Sequence, residues 1–277
     1  KVQRRYLNIS AGESMKLLLL SALVMLVGCT SMPEGATVQS LKFSDAHESL
    51  IGDLYLPPRL PESKLTTPVV VVVHGGGWTS RTGDMTAISK KLVKSGIAAF
   101  NITYRLAPEH LYPKASIDVS QAISWLKDNA REYNIDPARM GGWGYSAGAN
   151  LILLAGLDPA AGLKAIVAGG TPAKLTYWPK SPMVEEFVGK PLSTGKALWE
   201  EASPVNHVKE NSPAVFLYHG ARDKLVDYEQ MDLMKAALQK KNVEVKTHTV
   251  ALLGHLTVYL LSHESEQLGV SFLKDRL

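Results

Sequence analysis

The chain predicts an α/β fold: one domain built on a mostly parallel central sheet flanked by helices. Three observations predict it. Val69-Val70-Val71-Val72-Val73 is a continuous β-branched run without polar alternation, the pattern of a central strand covered on both faces. From that run onward, apolar strand-like stretches alternate with amphipathic helical ones, a rhythm that requires right-handed crossovers and an open, mostly parallel sheet. Last, Gly144-Tyr145-Ser146-Ala147-Gly148 lies between a short apolar run, Arg139 to Trp143, and a helix-prone run, Ala149 to Gly156. Strand, sharp turn and helix together force a serine into a strained turn and project its hydroxyl above the sheet edge.

At 277 residues with 45% hydrophobic side chains, the chain can bury the core of one large domain. Three of its four net positive charges sit in the first 28 residues, in Lys1, Arg4, Arg5 and Lys16 against Glu13. A nearly neutral body carries no concentrated basic surface, so nucleic acid is not expected as a partner. Met15 to Cys29 has a start-like Met, one Lys and an eleven-residue apolar core, Leu17 to Val27. A bilayer span takes about 20 apolar residues, so a secretory leader is the better reading. Leu26-Val27-Gly28-Cys29 resembles the lipobox of bacterial lipoproteins, which implies lipidation of Cys29, the only cysteine, and cleavage just before it. An ordinary leader with an incidental cysteine, or a buried amino-terminal helix, is the alternative. The resemblance implies an exported, lipid-anchored protein of the bacterial cell envelope, and Thr30 after the cysteine favours the outer membrane. Residues 1–28 are thus read as an upstream extension plus leader, and 29–277 as the folded domain.

In order, Thr37 to Ser44 and Ser49 to Leu56 alternate loosely and predict an antiparallel hairpin at one sheet edge. Pro57 to Pro68, with four prolines, reads as a surface loop leading into the valine run. After that strand come His74-Gly75-Gly76-Gly77-Trp78, and three successive glycines there cost entropy and pack nothing. They read either as a flexible turn or as backbone left bare so that N–H groups can converge on a reacting oxygen.

HGGGW after a buried strand, with GYSAG downstream, resembles the hormone-sensitive-lipase-like and feruloyl-esterase-like branches of the α/β-hydrolases. That resemblance implies an α/β-hydrolase fold and an oxyanion hole from the amides of Gly76 and Gly77, with Gly75 supporting the turn and the Ala147 amide completing it. Thr86 to Ser95 predicts an amphipathic helix ending at Gly96, and Ile97 to Thr103 a buried strand. Tyr104-Arg105-Leu106-Ala107-Pro108-Glu109-His110 matches a segment of the same esterases that is structural, so Glu109 and His110 are expected to serve the loop. Ser116 to Tyr133, with Ile117, Ala122, Ile123 and Leu126 at helical spacing, predicts the next helix, and Asp136-Pro137 a turn toward the strand that ends at Ser146. Leu163 to Ala168 reads as a strand. Gly169 to Pro204, with five prolines and Tyr177, Trp178, Phe187 and Trp199, is by the resemblance a covering insertion (169–204), its aromatics lining either a pocket or their own small core.

A serine hydroxyl needs a base, and the base an orienting carboxylate. Asp223 follows the strand Ala214 to His219 and matches the HGxxDxxV segment of the family. Asp227 and Asp232 compete, but fall at the start of and within a helix, Tyr228 to Lys241. After the strand Val243 to Val250, Leu253-Gly254-His255 is expected to enter a loop, where Gly254 frees the backbone to bring His255 over the sheet. His248, His263, His219 and His207 are weaker candidates for the base. Leu256 after the histidine and Tyr145 before the serine depart from the family pattern. The resemblance implies Ser146, Asp223 and His255 as catalytic residues of a serine carboxylesterase acting on short-chain, small-molecule esters. A carbohydrate esterase removing acetyl or feruloyl groups, a serine peptidase, or a catalytically silent binding module are the alternatives. No metal-ligand spacing, Walker loop or dinucleotide fingerprint occurs, so no cofactor is expected, and the sequence assigns no oligomeric state.

Overall fold

A computed structural model describes residues 31–58 and 66–277. Residues 1–30, with the segment read as a leader and Cys29, lie outside the described residues, as do residues 59–65 of the stretch expected to be a proline-rich loop. Within Met32–Leu277, a single compact unit, eight strands form one sheet: β1 (Thr37–Lys42), β2 (Ile51–Leu56), β3 (Thr67–Val73), β4 (Ala98–Ile102), β5 (Ile135–Tyr145), β6 (Leu163–Gly169), β7 (Ala214–Gly220) and β8 (Val245–Val250). Their order is β1-β2-β4-β3-β5-β6-β7-β8. The first hairpin is antiparallel, β2 runs antiparallel to β4, and every later pairing is parallel.

Why the sheet is covered twice is visible in β3. Val69, Val71 and Val73 enter one core while Val70 and Val72 enter the other, and all five are fully buried. Each such side chain stabilises the fold by roughly 1.5–3 kcal/mol relative to exposure. The first core is closed by α2 (Lys114–Asp128), α3 (Ala147–Gly156) and α6 (Glu229–Lys240). The second is closed by α1 (Thr86–Lys94), through Ile88, Leu92 and Val93, and α8 (His263–Lys274), through Val270, Phe272 and Leu273. Helix α1 stops where expected: Gly96 takes φ +79°, and the N–H groups of Gly96 and Ile97 return to Val93 and Leu92.

Three local expectations are corrected. Ile117 is exposed, because α2 buries Ala115, Val119, Ala122, Ile123 and Leu126, and position 117 lies on the opposite side of that stripe. Strand β5 begins at Ile135, so Asp136-Pro137 lies within it; Ile135 pairs with Thr67 across a register shift. His255 is not in a loop but is the first residue of α7 (His255–Leu261). The stretch 169–204 breaks the strand–helix rhythm as expected, building α4 (Pro182–Val188) and α5 (Leu192–Glu201) from an otherwise irregular path. Phe187 and Trp199, both fully buried, join the first core of the sheet rather than a separate one of their own.

Candidate active site

The site is organised by the turn at Ser146. Its backbone sits at φ 56°, ψ −124°, a region L-residues rarely adopt, at a cost of order 1–3 kcal/mol. The turn is pinned from both sides: the Ser146 N–H donates to Gly169 O at 2.8 Å, and Ser146 O accepts from the Asn150 N–H at 3.1 Å. It also depends on two close backbone crossings. A Cβ on Gly144 would collide with the Gly148 carbonyl, and one on Gly148 with the carbonyls of Val73 and His74. The glycines flanking the serine therefore let β5, α3 and β3 meet, and Ser146 lines a cavity of about 400 Å³.

Ser146, His255 and Asp223, separated by up to 109 positions in sequence, are brought into one relay. His255 Nε2 lies 2.8 Å from Ser146 Oγ, and His255 Nδ1 lies 2.7 Å from Asp223 Oδ2. An ionised carboxylate only accepts, so Nδ1 carries the proton and the Nε2 lone pair faces the serine hydroxyl. Asp223, buried, takes two further donors on Oδ1, the N–H groups of Leu225 and Val226, each at 2.9 Å. Burial alone would raise its pKa. The hydrogen bonds from His219 and His255, the charge interaction with His255 and the Val226 amide outweigh it, holding the carboxyl well below the usual carboxylate range.

The backbone at Gly254 is extended, φ −99°, which any residue adopts, so conformational freedom is not why glycine stands there. Its hydrogen is what fits: a Cβ would press within 3.1 Å of Arg222 O. What holds His255 is elsewhere. The Tyr145 hydroxyl donates to His255 O at 2.6 Å and its ring packs 5.2 Å from the imidazole. The residue that departs from the family pattern inside the GxSxG turn thus braces the histidine, a role with no signal in the sequence.

The competing residues are accounted for. Asp227 accepts the Trp178 indole N–H at 2.6 Å, and Asp232 is on the exposed side of α6. His207 Nε2 donates to Glu201 O, His263 lies beside Glu266, and His248 is on β8 facing Glu264. Glu109 and His110 stay in the loop, with the His110 ring edge-on to His47. His219, a weaker candidate for the base, does not reach the serine and lies against Asp223, with Nε2 3.2 Å from Oδ2.

The glycine loop after β3 faces the serine. Gly76 (φ +116°) and Gly77 (φ +60°) need the glycine backbone, and Gly75 lies so close to the Ser146 turn that a Cβ would approach Tyr145 O at 3.0 Å. All three line the same cavity as Ala147. Among the described residues, no turn or loop hydrogen bond uses the N–H of Gly76, Gly77 or Ala147. The loop is held by its ends. The His74 ring stacks on Tyr104 at 4.3 Å, and Trp78 stacks on Phe187 at 4.4 Å and donates to Asn150 Oδ1 at 3.3 Å. Asn150 in turn donates to Pro172 O and Ala202 O, tying the loop to the covering segment. Tyr104 of the YRLAPEH stretch is therefore a buttress for the glycine loop.

The remaining cavity wall is largely apolar: Trp178, Met183, Val184, Leu225, Leu256 and Tyr259. Of the aromatics in 169–204, Trp178 alone lines it; Tyr177 points to solvent, and nothing in the sequence separates Trp178 from Trp199. A groove of about 500 Å³ beside α2, lined in part by Trp125 and Asp128, shares none of these residues and holds no paired nucleophile and base. Among the described residues, no group of three or more His, Cys, Asp or Glu side chains is placed to hold a metal. No helix there is long and apolar enough to cross a membrane.

The BD-FAE family model matches residues 52–238, more than half of the chain. The chain is 29% identical over 207 residues to Esterase LipQ of Mycobacterium tuberculosis, covering 68% of this chain and 49% of that protein. It is 31% identical over 195 residues to "Probable carboxylic ester hydrolase LipM" of the same organism, covering 62% and 45%. It thus spans about half the length of these relatives. Among solved structures, a truncated carbohydrate esterase from gut microbiota superposes with a TM-score of 0.76 at 21% identity, over 88% of this chain and 98% of that one. At that identity the likeness speaks for the fold.

The deep burial of His74 gives a pH signature. Burial pushes its imidazole from 6.5 down to about 4, against the raising effect of its bond to Gly75 O, and nearby Arg81 adds to the fall. The unfolded chain takes up this proton near pH 6.5 and the folded chain only near 4, so lowering the pH through that window removes stability, on the order of 3 kcal/mol in all. Urea unfolding at pH 7.5 and 4.5 is expected to show wild type losing roughly 2 kcal/mol more than His74→Gln; equal losses would contradict a buried neutral His74.

Proposed function

The chain belongs to the BD-FAE family, with the α/β-hydrolase fold, and from that premise we propose that it is a serine carboxylesterase whose nucleophile is Ser146. The observation that carries the reading is the 2.8 Å and 2.7 Å relay from Ser146 through His255 to Asp223, with Ser146 and His255 on the cavity wall. As Ser146 Oγ attacks an ester carbonyl, His255 Nε2 takes the hydroxyl proton, and Asp223, negative throughout, stabilises the imidazolium and fixes its orientation. The carbonyl oxygen, now an oxyanion, is received by the amides of Gly76, Gly77 and Ala147, with Gly75 shaping the turn. Collapse of the tetrahedral intermediate breaks the ester C–O bond. The alcohol leaves with the proton from His255, and water, activated by the same imidazole, cleaves the acyl-enzyme and returns Ser146 to its hydroxyl form.

The apolar wall around Trp178, Met183 and Leu256 supports an uncharged, small acyl group as the part of the substrate that enters the cavity, since no cation lines it to pair with an anionic one. Ser146→Ala is expected to lower kcat on p-nitrophenyl acetate by roughly a million-fold, to background, in a protein that still folds. Retained turnover would remove Ser146 from the mechanism. A p-nitrophenyl ester series run beside acetylated xylan and methyl ferulate is expected to favour the short acyl chains. Preference for the polysaccharide or feruloyl substrates would move the reading to a carbohydrate esterase.

The lipobox-like Leu26-Val27-Gly28-Cys29 supports a second proposal, lipid anchoring of the mature chain at the cell envelope through Cys29. Cys29→Ser is expected to move the protein from the membrane to the soluble fraction; an unchanged distribution would refute anchoring at this residue.

A further inference from the structure

We propose that His219 is a positioning residue for the Asp223 carboxylate, its Nε2–H shared between Asp223 Oδ2 and the carbonyl of Val226. The inference rests on the esterase reading for its consequence, but not for its geometry. His219 lies at the end of β7 and is 1% exposed. Its Nε2 is 2.8 Å from Val226 O and 3.2 Å from Asp223 Oδ2. A peptide carbonyl can only accept, so Nε2 must carry a hydrogen; that hydrogen is directed at Val226 O, and Asp223 Oδ2 lies 3.2 Å from the same nitrogen, within reach of its positive edge.

The arrangement completes a closed set of donors around a buried charge. Leu225 N and Val226 N hold Oδ1, while His255 Nδ1 and His219 Nε2 share Oδ2. The two histidines thus approach the same oxygen from different elements, α7 and β7. His255 must move its proton load during turnover, whereas His219 does not touch the serine. Without His219, Oδ2 would be anchored only by the imidazole it is meant to orient, and Val226 O, in the segment that donates to Oδ1, would lose its side-chain donor. A carboxylate short of one donor in a buried setting is free to rotate or to draw in water, and either change misaligns His255. The other ionisable groups at this position are Asp223, His255 and Tyr228, whose ring meets the His219 ring edge-on at 5.9 Å. The Tyr228 hydroxyl is turned to Thr249 at 2.7 Å and does not compete for Nε2.

Two variants separate hydrogen bonding from packing. His219→Phe keeps a ring beside Tyr228 and removes the donor; His219→Gln puts an amide nitrogen with two hydrogens near the place of Nε2. On p-nitrophenyl acetate, H219F is expected to lose about tenfold in kcat with KM little changed, and H219Q to recover most of it. Histidine nitrogen NMR of the wild-type protein supplies a reading that needs neither activity nor a stable variant: His219 should be protonated on Nε2 and not on Nδ1. An Nδ1–H tautomer, an H219F enzyme with wild-type kcat, or an H219Q enzyme as slow as H219F would each overturn the inference. If the wild-type protein hydrolyses no ester, it is the esterase reading that fails, and the carboxyl carbon NMR shift of Asp223, expected to move between wild type and H219F and to return in H219Q, still decides whether His219 holds Asp223; an unmoved shift would overturn the inference.

Discussion

The constraint on which the rest depends is the backbone of Ser146, held at a positive φ where a β-strand turns directly into a helix. Such a conformation survives only where its surroundings over-determine it. Here they do so by contact: β3, β5 and α3 cross so closely that neither Gly144 nor Gly148 has room for a single methyl group. The sheet is laid down around that crossing. A fully buried β3 lies beside β5, and its carboxyl end releases the glycine loop on the same side as the serine. The parallel strands β6 and β7 follow, and β7 delivers Asp223 just past its end.

Once the turn is fixed, the chemistry is a matter of placing one charge and one proton. Asp223 is buried yet stays ionised because its oxygens are met by donors, and that charge sets the tautomer of His255, which leaves Nε2 free to receive the serine proton. The histidine is braced from behind by Tyr145, on the turn itself, so Ser146 and His255 are referenced to one rigid segment. The covering stretch is tied in by Asn150, whose amide reaches Pro172 and Ala202 while its oxygen accepts from Trp78. A disturbance in 169–204 therefore reaches the glycine loop through the three hydrogen bonds of Asn150 and the Trp78–Phe187 stack.

What was legible in the sequence follows from what the residue type alone dictates. Five consecutive valines can only be a doubly covered strand, glycines around a serine mark a crossing that excludes side chains, and the order serine, aspartate, histidine at strand ends agrees with the residues the fold brings together. The illegible parts depend on tertiary neighbours. Ile117 has helical spacing to an apolar set but lies off the stripe that the sheet selected. His255 opens a helix because Gly254, Thr257 and Arg222 meet there, which no local pattern records. Tyr145 looked like a departure and His219 like a strand end, since each acts on a residue 110 or 4 positions away through an atom whose direction only the folded chain sets. Trp178 lines the cavity because Asp227, 49 positions later, holds its indole.

On the proposed mechanism the strained turn makes Ser146, and no other serine, a nucleophile. The most direct measurement is stoichiometric inactivation of the native protein by diethyl p-nitrophenyl phosphate, followed by intact mass and peptide mapping. One phosphoryl adduct per chain is expected, on the peptide containing Ser146, and none after unfolding in urea before the reagent is added. An adduct on another residue, or equal labelling of the folded and unfolded chains, would contradict it.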